Sequence, residues 1–479
     1  MLATFQLRLS RGIAATFTAL AATWAAHAAP PATPLVTGPI PVNSTPGAGQ
    51  TRDYPHFATE PNFNLPAAGY MEEEFFIQGT ATRYSTPSLA DAVEVSGGHP
   101  YKTRILVRRP VDDKKFNGVV LVEWANVTSG YGGIDLHWQY SKEYLTREGY
   151  VHVSVQAQRV GIHGSATGQG LRDWSPVRYS TLDVTAGGTI TDDSLSYDMY
   201  SQVAMALRGV GRAQILGALE PKTVLSIGQS QSAGRLTLYY NSVHPLHKVY
   251  DGYLIQVGGG PFRTDIAAPM IQVMSETEVR GAFAGRRQPD SATLRTWEIA
   301  GAAHVDYWWI QYRQGLAVRD GNTPPTLACT PEPGSHTPLR FILNAGYHHL
   351  TRWVQKGTPP PSAEPILVTS LNPTVIARDA NGIAYGGIRQ AEVDAPIAIN
   401  RGDQPGMTPG CSNLYGMHQR FSEAQLAQLY PTKDHYVNAV TAVVKKNVKD
   451  GFLLKEDGDE VITRAKNTAV GTGRPIPIQ

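Results

Sequence analysis

The stretch that decides the fold is Val224-Leu225-Ser226-Ile227-Gly228-Gln229-Ser230-Gln231-Ser232-Ala233-Gly234-Arg235-Leu236. Its first four residues form a short apolar run that predicts a buried strand, and a helical pattern begins by Ser232. Between them, Ser230 has small residues two positions before and after it, Gly228 and Ser232. Larger side chains there would clash in the sharp strand-to-helix turn that lifts a nucleophilic serine above a sheet. The stretch therefore predicts a nucleophile elbow with Ser230 at its tip.

The elbow leaves two alternatives open. The pattern departs from G-x-S-x-G at its last position, so Ser232 could instead be the nucleophile, between Ser230 and Gly234. We favour Ser230 because Gly228 directly follows the strand, as the elbow geometry requires. A strand–turn–helix that is merely rich in small residues is the non-catalytic alternative.

Strand and helix patterns alternate on both sides of this stretch. Strands are predicted over 75–81, 101–110, 118–123, 150–155, 224–227, 252–257, 270–274 and 294–299, and helices over 197–217 and 232–243. This alternation is typical of βαβ units. We therefore expect an α/β fold, with a mostly parallel central sheet covered by helices on both faces and an antiparallel edge formed by the early strands.

Two later strands lead into an acid and a histidine. The 270–274 strand runs into a turn with Glu276 and Glu278, and the 294–299 strand runs into a small-residue loop that ends at His304. Serine, acid, histidine is the chain order of α/β-hydrolases. We expect His304 to act as general base and a glutamate to orient it. Glu278 is favoured because it falls where the acid of this fold normally stands, and Glu276 is the alternative.

An acyl-transfer site also needs two N–H donors for the developing oxyanion. The residue after the nucleophile, Gln231, is expected to supply one of them. The second is expected in the turn after the 118–123 strand, from Ala125 or Trp124, while Asn126 is the alternative residue for lining the site.

The N-terminal residues 1–28 have the features of a signal peptide. Arg8 and Arg11 precede an apolar run over 12–25, and Ala26-His27-Ala28 follows it. The run is shorter than the ~20 residues that span a bilayer, so we expect cleavage near Ala28, a secreted or periplasmic protein and no membrane span in the mature chain. Residues 29–55 predict a Pro-rich linker or arm, and 56–479 a domain with inserts near 156–196, 311–345 and 370–420.

Cysteine content and net charge bear on disulfide formation and on the binding of nucleic acid and metals. The two cysteines, Cys329 and Cys411, lie in Pro- and Gly-rich segments, and in an oxidising compartment they are expected to form a disulfide; two free thiols are the alternative. A net charge of +2 provides no strong field for nucleic acid. Zinc-type Cys/His spacing is lacking, and neither a metal nor an organic cofactor is expected.

With these residues in place, the chain resembles a family of secreted bacterial α/β-hydrolase-domain proteins. The shared motifs are the Ser-Gln-Ser elbow, the Glu276-Thr277-Glu278 turn and the Ala300-Gly301-Ala302-Ala303-His304 loop. Similar stretches lie at 104–110, 122–126 and 386–389, and the resemblance covers most of 70–470. It implies an α/β-hydrolase fold and a carboxylic-ester hydrolase. Glutamate in place of the commoner aspartate, and the lack of the His-Gly pair of lipases, are departures from the wider fold.

The sequence therefore predicts an exported serine esterase that acts on a small-molecule or polymeric ester through an acyl-enzyme. An amidase, peptidase or polyester depolymerase on the same triad is one alternative, and a non-catalytic binding protein that kept the fold is another. An oxidoreductase is disfavoured because Gly130-Tyr131-Gly132-Gly133 is a poor match to a phosphate-binding turn.

Overall fold

The computed structural model describes residues 30–42, 52–59, 63–166, 168–322, 334–404 and 411–472. Nine strands form a central sheet in the order β1-β2-β3-β5-β4-β6-β7-β8-β9. They are β1 Leu35–Thr37, β2 Tyr70–Ser85, β3 Val93–Pro110, β4 Val119–Trp124, β5 Val151–Val155, β6 Thr223–Gln229, β7 Gly252–Gln256, β8 Met270–Ser275 and β9 Leu294–Ile299. Two small antiparallel sheets pair β10 Val368–Leu371 with β11 Thr374–Ile376, and β12 Ala398–Arg401 with β13 Met417–Arg420.

The predicted mostly parallel sheet is present. Strands β4 to β9 run parallel to one another, and β1, β2 and β3 form an antiparallel edge. The chain crosses from β4 to β5 on one side and then returns to β6 on the other side. This reversal opens a crevice at the carboxyl ends of β4 and β6, where ligands of such sheets bind.

Helices cover both faces of the sheet. They are α1 Leu136–Arg147, α2 Arg159–His163, α3 Leu171–Trp174, α4 Pro176–Tyr179, α5 Ser196–Arg208, α6 Arg212–Leu216, α7 Gln231–Leu238, α8 His244–His247, α9 Glu276–Arg280, α10 Tyr307–Arg319, α11 Leu339–Lys356, α12 Ala391–Asp394, α13 Glu423–Leu429, α14 Lys433–Asp450 and α15 Lys455–Asn467. Apolar side chains of α5, α6 and α7 pack on one face. Those of α1, α10 and α11 pack on the other, so the sheet is buried between two apolar layers.

Several predicted segments differ in detail from the observed elements. The single helix predicted over 197–217 is two helices, α5 and α6, because the chain turns at Gly209 and Gly211. A Cβ on Gly211 would lie 2.9 Å from Val36 Cγ2 of β1, so this turn lies against the edge strand. That strand falls inside the predicted arm 29–55 and pairs with β2. The described parts of the 311–345 stretch are largely helical, in α10 and α11, whereas 370–420 carries the two small sheets.

Candidate active site

Ser230 occupies the turn between β6 and α7 in a strained backbone conformation. Its φ is 61° and its ψ is −118°, a region that residues with a Cβ rarely adopt. A Cβ on Gly228, two residues earlier in β6, would lie 2.8 Å from Leu236 Cδ1 of α7, so a larger residue there would displace that side chain. A strained residue held by its surroundings in this way is typical of a functional position.

Ser232 has a different role in the same turn. It is buried, its Oγ donates to the Gln229 carbonyl at 2.7 Å, and the Gln229 N–H donates to that Oγ at 3.2 Å. Both hydrogen bonds lie within the elbow. Ser232 therefore closes the turn, and the hydroxyl that lies beside a histidine belongs to Ser230.

His304 connects the serine to a carboxylate. Its Nε2 lies 2.8 Å from Ser230 Oγ, and its Nδ1 lies 2.6 Å from Glu278 Oε1. The side chains of His304 and Glu278 are 15% and 14% exposed, so the pair is shielded but open to solvent on one side. The structure thus brings the predicted serine, histidine and favoured glutamate into one hydrogen-bonded chain.

The helix that carries Glu278 fixes its carboxylate. Ser275 is the N-cap of α9 and accepts a hydrogen bond from the Thr277 N–H at 3.2 Å. The other oxygen of Glu278, Oε2, accepts from the Ser275 N–H at 3.2 Å and from its Oγ at 2.5 Å. This is a capping box, for which the sequence signal is S-x-x-E. Both carboxylate oxygens are therefore engaged, and Oε1 is directed at His304.

Glu276, the alternative acid, faces away from His304. Its carboxylate is fully buried, pairs with the Arg378 guanidinium, and accepts from the Gly301 N–H at 2.8 Å. Burial raises the pKa of Glu276 above its ordinary value, although the Arg378 charge opposes this shift. Glu276 anchors the base of the loop that ends at His304.

Residues that the motif analysis did not single out hold the rest of that loop. Thr277 Oγ1 accepts from the His304 N–H at 3.1 Å, and Gln229 Nε2 donates to the His304 carbonyl at 3.2 Å. Both residues neighbour motif positions, so proximity was the only sequence signal for them. Arg378 lies 102 residues from Glu276 and carried no local signal.

The predicted oxyanion donors differ in availability. Gln231 is the first residue of α7, and the first N–H groups of a helix have no acceptor within it. The Ala125 N–H donates to the Val155 carbonyl at 3.2 Å, so it is not free for a substrate, contrary to expectation. Trp124 is the last residue of β4 and pairs with Val155. Asn126 Nδ2 donates to the Gln229 carbonyl at 2.9 Å, which ties this turn to the elbow.

A cleft of about 610 Å³ opens above these residues. Its lining includes Ser230, His304 and Glu278, together with the glycine-rich turn after β7 and the segment after β8. Asn413 and Leu414, from the π-helical turn Cys411–Tyr415, also line it. The volume falls in the range of small-molecule sites.

The remaining sequence predictions concern metal binding, membrane spans and the two cysteines. Within the described ranges no group of three metal-ligating side chains comes together, and no helix is long and apolar enough to cross a membrane. Cys411 is buried at the start of the π-helical turn. Cys329 and the predicted signal peptide lie outside the described residues, so the disulfide and export stay predictions.

Comparison with known proteins gives a family match and three structural likenesses. The sequence matches the alpha/beta hydrolase domain family over residues 36–463. No curated protein matches it. A candidate acetyl xylan esterase from Bacteroides fragilis NCTC 9343 is 11% identical with a TM-score of 0.26, and the alignment covers 48% of this chain and 66%, just under two thirds, of that one.

Two other solved structures show a similarly low identity to this chain. A candidate dienelactone hydrolase from Klebsiella pneumoniae subsp. pneumoniae MGH 78578 is 13% identical with a TM-score of 0.27, and the alignment covers 52% of this chain and 99% of that one. A serine α/β-hydrolase without a lid from Xanthomonas campestris is 14% identical with a TM-score of 0.27, over 56% of this chain and 96% of that one.

Proposed function

The chain belongs to the alpha/beta hydrolase domain family, and we propose that it is a serine hydrolase that cleaves carboxylic esters through an acyl-enzyme. The observation that carries the proposal is the hydrogen-bonded chain from Ser230 through His304 to Glu278, which opens onto the cleft. Nucleophile, base and orienting acid within hydrogen-bond reach are what covalent acyl transfer requires.

In the first half of the reaction Ser230 Oγ attacks the acyl carbon while His304 Nε2 takes its proton. The bond from the acyl carbon to the alcohol oxygen then breaks, and His304 returns that proton to the leaving alcohol. In the second half a water attacks the acyl carbon while His304 takes its proton, the bond from the acyl carbon to Ser230 Oγ breaks, and His304 returns the proton to that Oγ as the acid product leaves. The 2.8 Å contact from His304 Nε2 to Ser230 Oγ supports these transfers.

Glu278 holds the imidazole in the tautomer with the proton on Nδ1 and stabilises the imidazolium formed in each half-reaction. The N-terminus of α7 supplies the oxyanion stabilisation, with the Gln231 N–H as the proposed donor. Removal of a single such donor typically costs about 3 kcal/mol of barrier. The helix dipole adds to the effect, because its positive end lies beside Ser230, whose Oγ attacks the carbonyl.

The test is intact-mass spectrometry after treatment with a fluorophosphonate serine probe. We expect one probe per wild-type chain, none on Ser230→Ala, and one on the matched Ser232→Ala variant. Since Ser232 closes the elbow by hydrogen bonds, its loss should lower the free energy of unfolding by about 1 kcal/mol. A folded wild type that takes up no probe would refute the proposal.

We also propose that the protein is exported and reaches a secreted or periplasmic location. The support is the charged, apolar and Ala-His-Ala sequence of residues 1–28. The full chain expressed with its own N-terminus should yield a mature protein that begins at Ala29. Recovery of the uncleaved chain from a cytoplasmic fraction would contradict this.

A further inference from the structure

The cleft beside Ser230 combines an apolar lining with two arginines. Apolar side chains come from several elements, namely Leu238, Pro261, Met274, Phe283 and Leu414. Arg280, the last residue of α9, and Arg286, at the end of the 3-10 turn Phe283–Arg286, line the same cleft. Among the residues that the structure describes, Glu278 is the only acidic one in the lining.

Glu278 forms no ion pair with either arginine. Its Oε1 is engaged by His304 and its Oε2 by Ser275. Among the described residues no carboxylate is paired with Arg286, which is exposed. Arg286 thus presents an uncompensated guanidinium at the cleft.

Arg280 is only partly neutralised. Its Nε lies 3.3 Å from Asp403 Oδ2, and its side chain remains 36% exposed. The same Asp403 carboxylate also pairs with Arg401 at 2.9 Å and with Arg378 at 3.3 Å. Arg378 pairs in turn with Glu276. Three guanidinium groups therefore share two carboxylates, and an excess positive charge remains beneath the Arg280 side of the cleft.

From this charge balance we infer that the protein selects esters that carry an anionic group, with a carboxylate as the simplest case, and that Arg286 and Arg280 bind it. This inference rests on the proposed esterase function and names its substrate class. The apolar lining contacts the carbon skeleton, and the guanidinium groups donate charge-assisted hydrogen bonds to the anionic group. Excess cationic charge in a cleft also raises the local concentration of anionic substrate.

The experiment compares matched neutral and anionic esters. One pair carries the charge on the acyl side, 4-nitrophenyl hexanoate and mono-4-nitrophenyl adipate, and the other carries it on the alcohol side, phenyl acetate and 4-carboxyphenyl acetate. The measured quantity is the ratio of kcat/KM for the anionic ester to that for its neutral partner. Because each ratio is compared between variants, the intrinsic reactivity of the esters cancels.

The responding pair is the one whose charged side, acyl or alcohol, lies at the arginines. For that pair we expect Arg286→Gln to lower the ratio about fivefold, mainly through KM, and added salt to lower the wild-type ratio. Arg280→Gln should lower it in the same direction. Arg352→Gln, which removes an exposed arginine of α11 outside the cleft lining, is the matched control and should leave the ratio unchanged.

The outcomes separate the two proposals. Hydrolysis of esters with ratios that neither arginine variant nor salt changes would overturn the inference and leave the esterase function standing. A folded wild type that hydrolyses no ester and takes up no fluorophosphonate would overturn the function and the inference together.

Discussion

At the scale of single residues, the backbone of Ser230 stores strain that a hydrolase needs and a stable fold does not. A Cβ at φ 61° and ψ −118° is costly, by about 1 to 3 kcal/mol for residues in such regions. The conformation persists because β6, which includes Gly228, and α7 determine the turn from either side. Glycine can adopt it without this cost.

We therefore predict that Ser230→Gly is more stable than Ser230→Ala by about 1 kcal/mol. This difference allows for the larger conformational entropy that glycine loses on folding. Both variants lose the hydrogen bond to His304, so the comparison isolates the effect of the Cβ. Urea unfolding of the two variants measures the difference, and both should be inactive. An alanine variant as stable as the glycine variant would mean that the turn is not strained.

The choice between the two glutamates illustrates what residue-level patterns can predict. The S-x-x-E sequence from Ser275 to Glu278 is a capping-box signal, and it places Glu278 at a defined position in the first turn of α9. Glu276 is also a glutamate and lies only two residues away. Its partner Arg378, however, follows β11 and is 102 residues distant in the chain. Its role depends on a tertiary contact, which no local pattern encodes.

The two glutamates should respond differently to neutralisation. Glu278→Gln should lower kcat a thousandfold or more, as loss of a triad acid does, while glutamine at this position still permits capping. Glu276→Gln should instead lower the free energy of unfolding by about 2 kcal/mol, because Arg378 loses its buried carboxylate partner and keeps only the 3.3 Å ion pair with Asp403. Steady-state kinetics and urea unfolding of both variants measure this. The reverse assignment of effects would make Glu276 the triad acid.

At the scale of elements, three segments meet behind the His304 loop. The His336 ring, just before α11, lies between Tyr307 of α10 at 4.3 Å and His418 of β13 at 3.7 Å, measured between ring centroids. Ser335 Oγ donates to the Gly301 carbonyl at 2.6 Å, which joins this stack to the loop. Apolar runs predicted the strands well, whereas this packing of separate elements left no periodic signal.

Acid should weaken this stack. Burial lowers the pKa of His336 to about 4 and, with the neighbouring His336 and Arg420, that of His418 to about 3. Unfolded histidine titrates near 6.5, so between about pH 6.5 and 4 the unfolded chain binds more protons. The free energy of unfolding therefore falls as the pH falls through this window.

His336→Phe keeps the ring and removes this titration, and the His336 backbone N–H to Asn400 Oδ1 contact at 3.0 Å does not depend on the side chain. We expect the variant to lose less stability than the wild type between pH 7 and pH 5. Urea midpoints at both pH values measure the two losses, to which other buried histidines contribute equally. Equal losses would show that His336 is not neutral in the folded state.

At the scale of the whole molecule, the parallel sheet explains why chain order sufficed to predict the site. The carboxyl ends of β6, β8 and β9 lie at one edge, so the residues that follow them meet there. The walls of the cleft follow no such rule. Leu414 comes from a turn far along the chain, and the Leu414 carbonyl accepts from the Val305 N–H at 3.0 Å, beside His304. Only the folded chain brings that turn to the site.

The predicted disulfide would act on this wall. Cys411 starts the turn that carries Asn413 and Leu414, and a bond to Cys329 would tie it to the connection between α10 and α11. The two cysteines are 82 residues apart (411 − 329). On the chain-entropy relation, closing a loop of that length stabilises the fold by roughly 4 kcal/mol. We therefore expect the Cys329→Ser/Cys411→Ser variant to unfold at lower urea and to show a higher KM, because the cleft wall is less restrained, with kcat changed less.

Alkylation of the denatured, unreduced protein, expressed with its own N-terminus, measures the bond itself. No iodoacetamide should be taken up before reduction, and two equivalents should be taken up after it. Reductant should shift the wild-type urea midpoint towards that of the double variant, while the double variant itself should not respond. Two equivalents without reduction would establish free thiols, and the turn that carries Leu414 would then be held without a covalent bond, by contacts that include its hydrogen bonds to Val305 and Ser335.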